Sequence, residues 1–196
     1  MSLLSTFSAA LEARDPDLRG HSARVTGLAE GLAQMLGWKQ PQLAALRLGG
    51  SLHDVGKIAV DAAILRKAGP LSSDELAHIR THPAAGARLI EGVADLAPAL
   101  PYVLHHHERW DGEGYPARQA AEKIPLEARV LGVADAFDAM TSHRAYRPAL
   151  SVDSALAEVE RCAGTQFDPR LARTFLDGWE RGEIAAPTEL AAAASL

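Results

Sequence analysis

The histidines of this chain are clustered rather than scattered. His105–His107 are consecutive, and His53 is followed directly by Asp54. Adjacent residues on a helix point about 100° apart, so His53 and Asp54 serve one site only where a helix ends or where the site holds more than one metal ion. The same argument applies to His106 and His107. Two such pairs at predicted helix ends indicate a multinuclear metal centre, whereas a single isolated histidine would more often be a core or surface residue.

The single cysteine, Cys162, narrows the possible ligands. It excludes disulfide frameworks and thiolate zinc sites, so any metal must be bound by His and carboxylate side chains. A lone cysteine also fits a reducing compartment. The segment Met1–Arg14 lacks the basic region, apolar run and cleavage site of a secretory signal, so we expect the cytoplasm.

Amphipathic periodicity predicts the helices that must position these residues. Val25, Leu28 and Leu32, for example, recur at steps of three and four. His53 lies at the end of a predicted helix, and His82 lies at a junction because the following proline begins a new helix. The predicted helical segments are 22–38, 41–54, 75–80, 83–90, 98–109, 126–140, 151–162 and 168–179, with a glycine-rich loop over 110–123.

These segments predict the fold class and the domain organisation. No alternating apolar pattern competes with the helices, and the sequence contains no internal repeat and no linker. We expect an all-α protein, a single compact multi-helix bundle over residues 1–183 with a metal centre between its helices. Beyond Glu183 the chain is rich in alanine and has no periodic apolar face, which predicts a frayed tail over 184–196.

Composition and charge exclude several classes of function. The chain has 196 residues, of which 47% are hydrophobic and 23% charged, which is typical of one compact domain. Glu91 and Asp95 interrupt the one long apolar stretch, which argues against a membrane span. A net charge of −5 provides no global field for binding DNA, although a local basic pocket for a small anionic ligand stays open.

Several segments match the motifs of a known family. The two signature segments are His53–Lys57 and His106–Pro116, and Gly20–Val25, the pair His82-Pro83 and Ala134–Asp138 follow in the family's order. With these segments the chain resembles the HD-GYP branch of the HD phosphohydrolase superfamily, from about Leu11 to Phe175. A bare His-Asp pair would be weak evidence, but this combination is highly specific.

The resemblance implies an HD-domain bundle and a set of metal ligands. The ligands it implies are His21, His53, Asp54, His82, His106, His107 and Asp135. Asp54 would bridge two divalent metal ions. Some members bind a third metal through a Glu at the position of Asp17. For Asp17, ligation is as good an interpretation as a helix N-cap or a surface charge.

The chemistry of these residue types agrees with the resemblance. A mixed His and carboxylate set suits iron, manganese or zinc, and we expect iron or manganese. Two cations roughly 3.5–4 Å apart lower the pKa of a bridging water and neutralise charge on a phosphoryl oxygen, as phosphodiester hydrolysis requires. Asp54 and Lys57 are the expected catalytic residues, with Lys57 contacting a phosphate or the leaving oxygen, unless its ammonium only complements a helix dipole. Glu108 and Asp138 would either orient ligand imidazoles or remain solvated charges.

By the same resemblance, two segments are expected to bind substrate. One is the loop with Gly114, Tyr115 and Pro116. The other carries Arg144 and Arg147, which lie three apart and face the same way on a helical turn. They resemble the residues that contact guanine or phosphate in a cyclic dinucleotide, since guanidinium suits both, although surface charges remain the alternative.

The resemblance implies a metal-dependent phosphodiesterase that opens cyclic di-GMP to linear pGpG, and onward to GMP, in bacterial second-messenger signalling. One alternative is a catalytically weak scaffold that binds a cyclic dinucleotide or a diguanylate cyclase-type partner. Another is an HD hydrolase of mononucleotides or alarmones, against which the loop with Tyr115 argues. Family members commonly carry an upstream sensor or receiver domain, which is a further expected partner. The chain departs from the family pattern at Arg118, Gln119, His143 and Ala145, none of which is an implied metal ligand.

Overall fold

The computed structural model describes residues 11–15, 18–143 and 148–185. After a helical turn at residues 11–14, this part of the chain forms nine α-helices and contains no β-strand, which confirms the all-α prediction. In chain order the helices are α1 (His21–Met35), α2 (Gln40–Leu52), α3 (Ala62–Leu65), α4 (Ser73–Ile79), α5 (His82–Ile90), α6 (Leu100–His105), α7 (Leu126–Thr141), α8 (Val152–Arg161) and α9 (Pro169–Glu180). Short 3-10 helices occupy Val55–Ala59, Ala94–Ala99 and Ala121–Lys123. None of the helices in the described ranges is long and apolar enough to cross a membrane.

The predicted helix over 98–109 is shorter in the structure. Pro98 lies inside the 3-10 helix Ala94–Ala99, and α6 begins only at Leu100. A proline has no backbone N–H and cannot continue a regular α-helical ladder, so the α-helix starts with Pro101 in its first turn. It ends at His105, which leaves His106 as the residue that caps it.

Between α2 and α5 the chain forms short elements. Periodicity does not predict α3, a single turn at whose start the Asp61 carboxylate accepts a hydrogen bond from the N–H of Ala63. The helix predicted over 75–80 is present as α4, and a capping box begins it. There the Ser72 hydroxyl accepts from the N–H of Glu75, and the Glu75 carboxylate accepts from the N–H of Ser72.

Helices α1 and α7 form the centre of the main core. Their buried side chains include Val25 and Leu28 in α1 and Leu131 and Phe137 in α7. The Phe137 ring contacts Phe175 of α9, with ring centroids 5.2 Å apart. A second apolar cluster joins two leucines that precede α1 to the end of α2, α5 and α6. It consists of Leu11, Leu18, Leu52, Val55, Ile90, Ala99 and Val103.

A close backbone contact fixes the turn after Asp54 against α5. A side chain at Gly56 would overlap the carbonyl oxygen of His82 and the backbone nitrogen of Gly86. The absence of a side chain at Gly56 therefore lets the 3-10 helix Val55–Ala59 lie directly against the first turns of α5. This contact brings the start of α5, with His82, beside Asp54.

Ile184, the first residue of the predicted tail, packs against the bundle. Ile184 is buried beside Gly31 of α1 and Gly178 of α9, where the glycines leave room for its side chain. The rest of the predicted tail, residues 186–196, lies outside the described residues.

Candidate metal centre

The residues expected to bind metal converge from five helices. His21 begins α1, and His82 begins α5. His53 and His106 are the C-cap residues of α2 and α6, and Asp135 lies within α7. Asp54 and His107 each follow a C-cap histidine directly. Because the chain turns at those caps, adjacent side chains reach the same space, as the argument from helix geometry requires.

The two carboxylate oxygens of Asp54 face different groups of histidines. Oδ2 lies 3.8 Å from Nε2 of His21 and 3.5 Å from Nε2 of His53. Oδ1 lies 3.2 Å from Nε2 of His82 and 3.9 Å from Nε2 of His106. Asp54 thus stands between two groups of nitrogen donors, which is the arrangement of a carboxylate that bridges two cations.

One further residue joins each group. Asp135 Oδ1 lies 3.2 Å from Nε2 of His21 and 4.0 Å from Nε2 of His53. His107 offers a ring nitrogen that lies within 4.8 Å of the donor atoms of Asp54, His82 and His106. Each side of Asp54 therefore has three or four potential ligand atoms.

Hydrogen bonds at Nδ1 set the orientation of four imidazoles. The acceptors are the carbonyl oxygens of Gly50 for His53 (2.8 Å), Ile79 for His82 (2.8 Å) and Tyr102 for His106 (3.0 Å), and the Asp138 carboxylate for His21 (2.7 Å). An Nδ1 that donates leaves the lone pair on Nε2, so all four rings direct a potential metal ligand into the shared space.

The contacts between these nitrogens fit divalent cations. Nε2 of His82 and Nε2 of His106 lie 3.3 Å apart, although hydrogen bonding assigns a lone pair to both. Nε2 of His53 is buried and has no hydrogen-bond partner among the described residues. A cation would satisfy these lone pairs, and a set of nitrogen and carboxylate donors suits a transition metal. The residues present therefore fit a divalent metal centre.

Burial and nearby charges shift the pKa values in the centre. Burial lowers the pKa of His53 and, with the surrounding histidines, lowers that of His106, and it lowers the pKa of His107 to about 3. These three imidazoles are therefore neutral and able to bind metal at neutral pH. Burial would raise the pKa of Asp54, but the Lys57 ammonium and the histidines hold it well below its usual range.

His21 differs from the other histidines of the centre. Burial lowers its pKa, but hydrogen bonds to Asp135 and Asp138 outweigh burial and raise the pKa to about 9. A proton on Nε2 of His21 thus faces Asp135 at a position that a cation would otherwise occupy. Metal binding there must displace that proton.

Asp138 orients a ligand imidazole, which is one of the two interpretations that its sequence position allowed. It is fully buried, accepts from His21 Nδ1 at 2.7 Å, and accepts from Arg24 Nε at 2.6 Å. Arg24 lies one helical turn after His21 on α1, so the same helix supplies both the potential ligand and the cation that holds its carboxylate partner.

Glu108, by contrast, does not orient a ligand imidazole. Its carboxylate accepts hydrogen bonds from the N–H groups of Ala117 (2.7 Å) and Gln119 (3.0 Å). It is nearly buried, so these charge-assisted bonds hold the loop that follows Tyr115 against the end of α6. Glu108 organises the loop, and the interpretation of Glu108 as an orienting residue for a metal ligand is wrong.

Lys57 lies beside the centre. Its ammonium is 2.9 Å from Asp54 Oδ2 and 3.8 Å from Asp15 Oδ2. Burial lowers the pKa of Lys57, but the two carboxylates outweigh burial and raise it, so the side chain is charged. Sequence reasoning missed Asp15, whose contact with Lys57 joins residues far apart in the chain.

A cavity of about 480 Å³ opens over the centre. Its floor includes His21, Asp54, Lys57, His82 and Asp135, and Tyr115 lies on one wall. The opposite lining comes from the segment over α3 and α4 and is mainly apolar: Ile64, Leu65, Leu71, Leu76 and Ile79. The volume lies within the range of pockets that enclose small organic ligands. Sequence reasoning missed this apolar wall because α3 is too short to give a periodic signal, and because the predicted helix over 75–80 was not placed beside the metal centre.

Tyr115 also lines a smaller cavity of about 180 Å³. His107, Tyr115 and Asp135 line both cavities, so the metal centre borders each of them. The Tyr115 ring stacks on the ring of His107, with centroids 4.8 Å apart, and the Arg80 guanidinium lies over Tyr115, 5.5 Å from its centroid.

The predicted substrate residues have different positions. Tyr115 lines both cavities, Gly114 lines the smaller one, and Pro116 is exposed and lines neither. A side chain at Gly114 would overlap the backbone of residues 107–109, so this glycine is required for close packing. The remaining predicted site residues, Asp17, Arg144 and Arg147, lie outside the described residues, as does Ala145.

The family described as HD domain matches residues 5–171 of the chain. This match covers most of the sequence, and the chain therefore belongs to the HD domain family. Its signature segments and its relatives place it in the HD-GYP branch, which confirms the predicted family.

Relatives of known name cover most of this chain. The cyclic di-GMP phosphodiesterase response regulator RpfG of Xanthomonas campestris is 38% identical over 177 residues, which are 89% of this chain and 47% of that protein. The 3'3'-cGAMP-specific phosphodiesterase 2 of Vibrio cholerae is 31% identical and matches 91% of this chain and 34% of its own length. The chain thus spans less than half the length of these curated relatives.

Solved structures share the fold. An HDG"Y"P protein from Bdellovibrio bacteriovorus superimposes with a TM-score of 0.66 at 21% identity, over 82% of this chain and 51% of that one. A cyclic GMP-AMP specific phosphodiesterase of Vibrio cholerae superimposes with a TM-score of 0.61 at 20% identity, over 82% and 44% of the two chains. Both confirm the HD-domain bundle.

Proposed function

We propose that this domain is a metal-dependent phosphodiesterase that hydrolyses cyclic di-GMP to linear pGpG and onward to GMP. The observation that carries the proposal is the position of Asp54, whose two oxygens face separate groups of histidines. The names of the relatives support a cyclic dinucleotide as substrate. A reducing compartment, the cytoplasm, fits the single cysteine.

Two divalent cations, iron or manganese, are proposed to bind on either side of Asp54. His21, His53 and Asp135 would hold one, and His82, His106 and His107 would hold the other. When bound, such a pair activates a water molecule and neutralises negative charge on the scissile phosphate. Asp17 remains the proposed ligand of a third ion.

The side chains of the larger cavity supply the rest of the chemistry. The Lys57 ammonium, fixed against Asp54, is placed to bind a phosphate oxygen or to neutralise the leaving oxygen. The apolar wall and the Tyr115 ring provide surfaces against which a nucleobase packs. Gly114 and Glu108 hold the loop that presents Tyr115, while Pro116, Arg144 and Arg147 remain proposed substrate residues.

A scaffold without useful turnover is the alternative function, with a diguanylate cyclase-type protein or an upstream sensor or receiver domain as partner. The complete set of potential ligands argues against it, since a pure binding module has no need for buried imidazoles with unsatisfied lone pairs.

A product assay tests the proposal. The purified, anaerobically handled protein is incubated with cyclic di-GMP and Fe(II) or Mn(II), and the products are separated by chromatography. Asp54→Ala is compared with the control Asp153→Ala, which removes an exposed carboxylate from α8. Metal content is measured on every sample.

We expect pGpG or GMP from the wild type and from Asp153→Ala only, together with metal loss in Asp54→Ala. A fully metallated wild type that yields no product would contradict the phosphodiesterase and favour the scaffold.

A further inference from the structure

Five cationic side chains line the two cavities beside the metal centre: Lys57 and Lys67 in the larger one, and Arg80, Arg109 and Arg129 in the smaller one. These side chains differ in whether a nearby carboxylate already pairs with their charge. In the larger cavity Lys57 lies 2.9 Å from Asp54, and Lys67 lies 2.6 Å from Glu75. Both of these ammonium groups are already paired with a carboxylate.

Two of the three guanidinium groups in the smaller cavity are also paired. Arg109 lies 2.6 Å from Asp111, and Arg129 lies 2.7 Å from Asp168. Arg80 has no carboxylate within 4.0 Å among the residues that the structure describes, and its guanidinium contacts the Tyr115 ring. Of the five cations, Arg80 alone carries a charge that no described carboxylate offsets.

Arg80 is also held close to the metal centre. It is the C-cap residue of α4, two residues before His82. Its guanidinium lies over Tyr115, which stacks on His107, so a short series of contacts joins Arg80 to one of the potential metal ligands. Stacking on an aromatic face leaves the N–H groups of a guanidinium free to donate in its own plane.

The acidic groups around the smaller cavity leave this cation free. Glu108 accepts from two loop N–H groups and Asp168 is bound to Arg129. Glu113 is exposed, as Arg80 is, and no ion pair joins the two among the described residues. The remaining carboxylate of this lining, Asp135, lies 3.2 Å from Nε2 of His21, so an anion that enters beside Arg80 meets an unpaired guanidinium and carboxylates that already have partners or face solvent.

We propose that Arg80 binds the second, non-scissile phosphate of the cyclic dinucleotide. The inference rests on the proposed function, which supplies a ligand with two phosphodiesters joined in one ring. When one phosphodiester lies at the metal centre, the ring holds the other nearby, and the smaller cavity borders the same centre. A guanidinium binds phosphate oxygens through paired N–H donors. Arg80 would thus select ligands with two linked phosphates over ligands with one.

Direct binding measurements test this inference independently of turnover. Fluorescence anisotropy of a labelled cyclic di-GMP is recorded within seconds of mixing with the manganese-loaded protein, and GMP is titrated separately by calorimetry. The variants are Arg80→Gln, Arg80→Lys and the control Arg88→Gln. Arg88 is exposed on α5 and lines neither cavity, so its loss removes the same charge elsewhere.

We expect Arg80→Gln to weaken cyclic di-GMP binding about 10- to 100-fold, the usual effect of losing a charged hydrogen bond, and Arg80→Lys to weaken it less. The affinity of Arg80→Gln for GMP should equal that of the wild type, because GMP has a single phosphate that the metal centre would take. The metal content of Arg80→Gln should also be unchanged, and Arg88→Gln should bind cyclic di-GMP as tightly as the wild type.

Equal losses of affinity for cyclic di-GMP and for GMP would overturn the inference, since Arg80 would then contact a guanine base or support Tyr115. An unchanged affinity in Arg80→Gln would also overturn it. Product formation is followed in the same samples. Binding that depends on Arg80 without product would support this inference while contradicting the phosphodiesterase. A wild type that does not bind cyclic di-GMP would overturn both.

Discussion

The buried carboxylate of Asp138 fixes His21 more firmly than a backbone carbonyl would. His53, His82 and His106 direct Nδ1 to carbonyl oxygens, whereas His21 donates to a charged group that Arg24 holds in turn. A charged acceptor makes the stronger hydrogen bond and increases the basicity of the ring. The affinity of the first metal position should therefore depend on Asp138.

We expect Asp138→Ala to lower the affinity for Mn(II) about 10- to 100-fold, the usual effect of losing an outer carboxylate. Competition with a fluorescent chelator measures it. Ser142→Ala is the matched control, because its hydroxyl lies 3.4 Å from the same carboxylate and is the weaker contact. Equal metal affinity in Asp138→Ala and Ser142→Ala would contradict the orienting role.

For Lys57 we expect a different effect on metal binding, because its positive charge repels a metal ion. Replacing it in Lys57→Met removes a positive charge 2.9 Å from Asp54, so metal content should be retained or increased. Turnover should fall about 100-fold, because a donor to the phosphate is lost.

Metal analysis and steady-state kinetics check both effects of Lys57→Met, with the exposed Lys123→Met as control. If metal and turnover are lost in parallel, Lys57 serves the metal site and does not contact the phosphate.

At the scale of elements, the contact between the 3-10 helix Val55–Ala59 and α5 positions Asp54 against His82. Gly56→Ala would place a methyl group onto the His82 carbonyl, and backbone atoms cannot move aside as a flexible side chain does. We expect a loss of about 1–3 kcal/mol in the free energy of unfolding, together with weaker metal binding.

Chemical denaturation and metal titration of Gly56→Ala test this contact. Gly27→Ala is the control: Gly27 lies in α1, and a Cβ there meets no atom within 4 Å. That substitution should stabilise the protein by up to about 1 kcal/mol through helix propensity. Similar stability of the two variants would contradict the close contact.

The elements also show which features of the candidate site could be predicted from the sequence and which could not. Periodicity placed His53 at a helix end, but it carried the helix with His106 on to residue 109, whereas the structure ends it at His105. Arg24 could have been found from the sequence, because it lies one turn after His21. The partners of Glu108 could not be predicted, because the geometry of an irregular loop decides which N–H groups reach it. The apolar wall over α3 and α4 could not be predicted, because α3 is a single turn without a period, and the predicted segment for α4 does not itself show that Leu76 and Ile79 line the cavity.

At the scale of the whole molecule, an acidic chain is proposed to bind an anion. The net charge of −5 is distributed over a surface that salt screens within about 10 Å. Of the cations that line the two cavities, Lys57 and Lys67 are paired with carboxylates and Arg80 is not, so an anionic ligand would depend on Arg80 and on the cations proposed to bind at the centre. Net charge therefore argues against nucleic-acid polymers but not against a compact cyclic dinucleotide.

The metal centre should also stabilise the whole fold, because its ligands come from five helices and meet only in the folded chain. A ligand at about 1,000 times its Kd stabilises the native state by about 4 kcal/mol. For a domain of this size, about 1 kcal/mol shifts Tm by about 2–4 °C. Removal of the metal should therefore lower Tm by about 8–16 °C.

Calorimetric melting of the manganese-loaded protein, with and without a chelator, measures this shift. Asp54→Ala should have the same Tm with and without the chelator. Its substitution removes the carboxylate that both groups of histidines face, so no bound metal is left for the chelator to remove. If the chelator lowers the Tm of Asp54→Ala as much as that of the wild type, the stabilising ion binds elsewhere. If the chelator leaves the Tm of the wild type unchanged, the proposed centre contributes nothing to the stability of the bundle. The facing lone pairs of the buried imidazoles are then tolerated without a cation.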